Sequence, residues 1–284
     1  MRRYRLYGAV AGGFAAAVFA IVAFAAPHSR FADRRAGAVP VDVELILAVD
    51  ISYSMDPDEQ ALQREGYIQA LTSKEFLNAL REGANGKIAV TYFEWAGGFD
   101  QRVVMPWRLI DGPEAADAVA AEIARAPYRR ASRTSISGAL RYAKPLFDDS
   151  GYRGLRRVID VSGDGANNSG DLVAPTRDEV IQAGITINGL PVMLKRSSFG
   201  TLDIEELDIY YEDCVIGGPG AFVVPIKDRS KFIEATRTKL VLEVAGRQPE
   251  STIVPASADK PRVSCTIGEK LWRDRWGGGG YDFQ

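Results

Sequence analysis

The run Glu44-Leu45-Ile46-Leu47-Ala48-Val49, ending in Asp50-Ile51-Ser52-Tyr53-Ser54, constrains the fold more than any other stretch. A short apolar run bounded by polar residues reads as a strand buried on both faces. Such a strand belongs at the centre of a mostly parallel sheet, and sheets of that kind bind ligands at their carboxyl edge. The abrupt Asp-x-Ser-x-Ser falls at that edge. Three oxygen-bearing side chains at alternate positions converge on one point if the loop curls. Oxygen-only ligation suits a hard divalent cation: Mg²⁺, Mn²⁺ or Ca²⁺.

The rest of the chain alternates strand and helix patterns around this segment. Strands are expected over Val43–Asp50, Lys87–Trp95, Arg102–Trp107, Arg156–Ser162, Gly184–Val192 and Ala221–Ile226. Pro106 assigns the third to an edge, because proline cannot donate to a ladder on both sides. One long helix is expected from Met55 to about Arg81, with Pro57 in its first turn. Others are expected from Asp111 to about Ala126, from Thr134 to before Phe147, and over Ala174–Ala183, Asp203–Tyr211 and Ser230–Ala245. This alternation implies right-handed crossovers and an α/β fold: a doubly wound, mostly parallel Rossmann-like sheet with helices on both faces. In the strand order 3-2-1-4-5-6, the first and fourth strands are neighbours at the switch point. Asp50 and Asp164 then emerge side by side, and Thr134, one helix earlier, returns to the same edge.

Residues 1–26 read as a signal peptide or N-terminal anchor. Arg2, Arg3 and Arg5 form a basic start, Ala9–Ala26 is uncharged, and Ala23-Phe24-Ala25 offers a small-x-small cleavage site. The expected location is periplasmic or secreted. Retention of the segment would instead give a membrane-anchored chain with an extracytoplasmic domain, the only route to membrane contact. Residues 27–40 form a polar spacer, 41–246 the domain, and 247–284 a C-terminal extension, partly flexible around the run Gly277–Gly280. Two cysteines occur, Cys214 and Cys265. In an exported chain an even count favours a bridge between them; in a cytosolic one both would stay free.

Composition removes several function classes. With Arg2, Arg3 and Arg5 set aside, 32 basic residues face 37 acidic ones, the opposite of the basic field of a nucleic-acid binder. The one histidine, His28, lies just after the leader, so a Ser-His-Asp device or an imidazole-based zinc site has no histidine to use.

Asp50, Ser52 and Ser54, with Thr134 in Arg133-Thr134-Ser135-Ile136-Ser137-Gly138 and Asp164 in Asp164-Gly165, resemble a von Willebrand factor A-type domain and its metal-ion-dependent adhesion site. Tyr92-Phe93-Glu94-Trp95, Val161-Ser162-Gly163-Asp164-Gly165 and Gly217-Gly218-Pro219-Gly220 resemble, more narrowly, a group of exported bacterial proteins that carry this domain and a domain-of-unknown-function label. The resemblance implies that Ser52, Ser54 and Thr134 supply neutral hydroxyls to the ion. Asp50 and Asp164 would act largely through water and hydrogen bonds. Neutral ligands leave most of the charge of Mg²⁺ uncompensated, so it seeks one more anionic oxygen. A Glu or Asp carboxylate of a protein partner supplies it, which implies a non-catalytic binding module.

Taken singly, each piece has an ordinary structural role. Ser54 would cap the helix after it, Thr134 would cap another, and Asp164-Gly165 would form a turn. Trp95, Arg133 and Asn167 are candidates for a partner-contact rim; core packing, a solvated charge and turn formation are their alternatives. The competing function is a metal-dependent hydrolase using Asp50, Asp160 and Asp164. An assembly subunit serving an ATPase is the third reading, which export disfavours.

Overall fold

The structure, a computed structural model, describes residues 37–194, 204–246 and 261–276. The leader, most of the spacer, the start of the helix expected from Asp203, and Gly277–Gly280 lie outside the described residues.

The apolar run forms β1 (Val39–Asp50), buried from Val41 to Asp50. It pairs in parallel with β2 (Ile88–Trp95) on one side and β4 (Tyr152–Gly163) on the other. Each Leu or Ile buried there contributes roughly 1.5–3 kcal/mol of transfer free energy, which ties the run to the sheet centre. Beside β4 lies parallel β5 (Thr186–Pro191), and β3 (Gln101–Ile110) closes the other edge, antiparallel to β2. The order is β3-β2-β1-β4-β5, which places Pro106 on an edge strand.

One face of the sheet is covered by α1 (Pro57–Leu71), α2 (Lys74–Glu82), α3 (Pro113–Arg125) and α7 (Phe232–Ala245). Leu45, Leu47 and Val49 of β1 meet Tyr67, Phe76, Ile123 and Leu240 there. The other face carries α4 (Ile136–Leu146), α5 (Val173–Gln182) and the short α6 (Leu207–Tyr210), which runs into a π turn at Tyr211–Val215. Ile46 and Ala48 meet Ile136, Leu140, Val180 and Tyr210 on that side. This is the doubly wound α/β sheet implied by the alternation.

Two elements depart from expectation. The long helix from Met55 is two helices, α1 and α2. Thr72 turns its hydroxyl back to Ile68 O at 3.1 Å, and Ser73 accepts from Phe76 N–H at 3.2 Å. Those short hydroxyls satisfy helix ends better than an interior turn. The strand expected over Ala221–Ile226 is reduced to the isolated ladder pairs Gly189↔Val223 and Val192↔Ile226. Pro225 has no N–H to donate, so the ladder cannot run through it.

Asp160, buried in β4, faces the α7 side together with Val158. Its Oδ1 lies 2.7 Å from Lys239 Nζ, which also bonds Glu243 Oε1 at 2.7 Å. Asn188 Nδ2 donates to Glu243 Oε2 at 2.7 Å. All three charged side chains are fully buried.

Candidate metal centre

The loop after β1 curls because its backbone bonds to its neighbours. Ile51 N–H donates to Trp95 O at 2.9 Å, and Tyr53 N–H to Ala131 O at 2.8 Å; Ala131 N–H returns to Ile51 O at 3.0 Å. From α1, Gln60 reaches Arg129 O and Arg64 reaches Ala126 O, which fixes the segment entering Thr134. Arg130 donates to Tyr53 O at 2.9 Å and to Met55 O, riveting one loop to the other.

The helix caps that sequence assigns to Ser54 and Thr134 belong to other residues. Asp56 caps α1 in a reciprocal box: Glu59 N–H donates to Asp56 Oδ1 at 2.7 Å and Asp56 N–H to Glu59 Oε2 at 2.8 Å. Ser135 caps α4, accepting from Gly138 N–H at 3.0 Å. Neither Ser54 nor Thr134 is the cap residue of the helix that follows it.

Ser52 Oγ and Ser54 Oγ lie 2.7 Å apart, and Ser54 Oγ donates to Asp164 Oδ1 at 2.6 Å. The Thr134 segment is clamped to the Asp164 loop by Asn168, whose Oδ1 accepts from Thr134 N–H at 3.0 Å while Asn168 N–H donates to Thr134 O at 2.8 Å. Asp50 is fully buried. Its Oδ1 accepts from Ser52 N–H at 2.7 Å, and its Oδ2 has no hydrogen-bond partner among the described residues. Burial pushes the Asp50 carboxyl well above the usual range, and the nearby Asp164 charge pushes the same way. Gly163 makes the approach possible: a Cβ there would stand 2.8 Å from Asp50 Oδ2 and 3.1 Å from the Tyr211 hydroxyl.

These residues fit a hard divalent ion. Neighbouring oxygens around octahedral Mg²⁺ are about 2.9 Å apart, close to the hydroxyl and carboxylate spacings here. Two near carboxylates, one with an orphaned oxygen, are a charge arrangement that a cation relieves. The donor set is hydroxyl-rich: among the described residues no cluster of three or more His, Cys, Asp or Glu could hold a metal.

Three expected roles are corrected. Trp95 is not at the rim: it is fully buried opposite Asp50 in the ladder, packed in the α4-side core. Asn167 is fully buried too, with its side chain committed to Ser137 N–H, Asp171 O and Glu269 Oε1. Asp160 occupies the opposite sheet face, paired with Lys239, so the carboxylate set of the hydrolase reading does not assemble. Arg133 is exposed at the edge, with φ of 75°, and its guanidinium stacks 3.4 Å from the centre of the Trp272 ring.

Trp272 lies on an element that sequence periodicity does not reveal, α8 (Ile267–Trp276). A Cys214–Cys265 disulfide ties its approach to the π turn. Arg262 forks onto Asp213 and Glu212, and Glu269 bonds Asn167. Gly268 allows contact: a Cβ there would lie 2.1 Å from Asn167 O. The even cysteine count is the sequence signal that ties this stretch to the domain, but it does not announce a helix. Cys265→Ser should leave the sheet intact yet expose Lys270 and Arg273 to trypsin about tenfold faster, because the crosslink is what opposes local opening. Unchanged cleavage would show that the noncovalent contacts suffice.

Residues 40–248 match the model of a family described as "Protein of unknown function (DUF1194)". No curated protein matches the chain. Among solved structures, it is similar to the pilus adhesin SpaC from Lactobacillus rhamnosus GG, at 13% identity and TM-score 0.54, over 72% of this chain and 31% of that one. Another is proximal thread matrix protein 1 from the mussel byssus with a zinc-occupied MIDAS motif, at 15% identity and TM-score 0.50, over 73% and 48%. A von Willebrand factor type A protein from Catenulispora acidiphila aligns at 18% identity and TM-score 0.47, over 73% and 43%. The chain thus spans less than half the length of each. At these identities the likeness shows the fold alone, the doubly wound α/β sheet described above.

Proposed function

The chain belongs to the DUF1194 family of proteins of unknown function, and we propose that it is an exported, non-catalytic binding module built on a divalent-cation adhesion site. The observation that carries this is the convergence of Ser52 Oγ, Ser54 Oγ and Asp164 Oδ1 at hydrogen-bond spacing, beside the orphaned Asp50 Oδ2. Ser52, Ser54 and Thr134 would hold the ion, with Asp50 and Asp164 orienting and charge-balancing it. A bound Mg²⁺ or Mn²⁺ would supply Lewis acidity toward one further anionic oxygen, a Glu or Asp carboxylate of a protein partner. The chain's own contribution is to hold three loops in one register, through the Ala131 ladder and the Asn168 clamp, so that Ser52, Ser54 and Thr134 would be presented to the ion together.

Two further observations support this reading. The adhesin and the byssal matrix protein share the fold, and the latter holds zinc in a MIDAS motif of its own. The disulfide suits an oxidising compartment, in line with a periplasmic or secreted domain or one anchored outside the cytoplasm. Asp160 is paired with Lys239 on the opposite sheet face, away from Asp50 and Asp164, which disfavours the three-carboxylate hydrolase reading.

Calorimetric titration of the full chain with Mg²⁺ and Mn²⁺ tests the site. One ion per chain is expected, with binding lost in Ser52→Ala/Ser54→Ala. Equal heats in that variant, or none from either ion with the native chain, would refute the proposal. An acidic peptide should then bind in Mg²⁺ and release on chelation.

A further inference from the structure

The surface around the site is richer in exposed apolar groups than the rest of the molecule. Of seven exposed large hydrophobic residues among those described, five stand at the carboxyl edge of the sheet or on α8: Tyr53, Phe99, Tyr128, Leu172 and Trp276. Apolar groups gathered on one face mark an interaction surface for a macromolecule rather than an ion alone. On that face a cleft of about 500 Å³ opens between the Thr134 loop and α8, lined by Arg133, Trp272, Arg273 and Trp276.

The lining defines what fits. Arg133 lies on the Trp272 ring at 3.4 Å, and the Trp272 and Trp276 rings are 5.9 Å apart at 32°. Trp276 is 62% exposed. Two guanidinium groups and two indoles form the walls, with no carboxylate among them. A guanidinium stacked through its face keeps its N–H edge for a carboxylate, and the indoles offer faces to a planar or apolar side chain. Arginine and tryptophan are also the residues most often found at the energetic centres of protein interfaces. Position matters as well: Arg133 directly precedes Thr134, and α8 is bonded to the Asp164 loop through Asn167 and Glu269. The helix lies beyond residue 248, outside the family match.

We infer that this cleft is a second recognition subsite for an acidic segment of the protein partner, taking an aromatic side chain and a neighbouring carboxylate while another carboxylate of the same segment meets the metal centre. The inference rests on the binding-module reading above. Charge complementarity selects the occupant, since the walls are cationic and aromatic. The disulfide has a direct role here, because it holds α8 where the cleft exists.

The test uses the full chain in Mg²⁺ and the fluorescently labelled peptide acetyl-Gly-Glu-Gly-Phe-Glu-Gly-amide, read by anisotropy. Trp276→Ala and Arg133→Gln should each weaken binding about tenfold, the scale of an interface aromatic or guanidinium contact. Replacing the probe's Phe by Gly should cost the native chain the same factor and cost Trp276→Ala almost nothing. Trp276 is largely exposed, so its loss should leave trypsin protection of α8 unchanged. Equal affinity of native chain and both variants, or no binding of the probe at millimolar concentration, overturns the subsite. Binding that depends on Mg²⁺ and Asp50 but not on the cleft sinks this inference alone. Binding that depends on the cleft but survives chelation upholds the subsite and sinks the metal reading. A chain ending at Trp276 should bind the probe as tightly as the full chain. If it binds tenfold more tightly, the occupant is the chain's own Tyr281-Asp282-Phe283 and the partner proposal is overturned.

Discussion

Replacing Asp50 by Asn is expected to lower Mg²⁺ affinity by about 10–100-fold while making the metal-free protein more stable. The two effects share one cause. Asp50 is fully buried, its Oδ2 has no hydrogen-bond partner among the described residues, and Asp164 adds like charge nearby. Removing the charge relieves that arrangement, a gain of about 1–2 kcal/mol without metal. The carbonyl of Asn can still accept from Ser52 N–H, which preserves the loop. With metal, the order reverses: an ion at about a hundred times its dissociation constant stabilises the native chain by about 2.7 kcal/mol. Thermal melts in chelator and in Mg²⁺ should therefore cross, the variant melting higher in chelator and the native chain higher in Mg²⁺. A variant that gains as much from Mg²⁺ as the native chain does would remove Asp50 from the centre.

Lys239→Met should cause the largest loss of stability, roughly 3–5 kcal/mol, or a fall in melting temperature of about 10 °C. Lys239 is the cation between Asp160 and Glu243, and all three are out of water. Burial would lower its pKa, but Asp160 and Glu243 outweigh that and hold it above the ordinary lysine value. Burial pushes the Asp160 carboxyl up to about 6 even with Lys239 beside it, and removing the lysine raises it further. An acid whose folded pKa lies above its unfolded 3.8 costs stability at pH above the folded value and none once protonated in both states. The penalty of Lys239→Met should accordingly shrink as pH falls from about 8 to about 5. Asp160→Asn/Lys239→Met/Glu243→Gln should recover most of the loss, because neutral packing avoids the desolvation of the ions. A pH-independent loss, or a triple variant as unstable as the single one, would mean that the lysine acts through packing.

The difference between these two residues shows how much of the molecule was legible beforehand. Asp50 was readable because it ends a strand whose apolar character is local and continuous, and because the residues that follow alternate oxygen-bearing side chains. Asp164 was readable for a similar reason, as the polar break after β4. Their proximity followed from the strand order. The meaning of Asp160 was not readable. Its partner, Lys239, lies on a helix nearly eighty residues later, and no periodicity within β4 says which sheet face meets a cation. Trp95 misled for a related reason. It stands at the end of a strand, where a rim residue would stand, but β2 is buried on both faces through its last residue. Asn167 looked like a turn residue beside the site and is instead the bracket that joins α4, the Asp164 loop and α8.

The cap assignments sharpen the point. In sequence, Ser54 and Thr134 are indistinguishable from ordinary helix caps. Asp56 and Ser135 take those caps, and only the folded backbone shows it. Local chemistry therefore determined the elements, their order in the sheet and the residue types gathered at its edge, because hydrophobic period and turn chemistry act over a few neighbours. Tertiary structure decided which residues serve as helix caps, which carboxylates share a face, and that a disulfide-tied helix walls one side of the site. Those outcomes depend on contacts between segments far apart in the chain, and packing settles them only when the sheet has closed around β1.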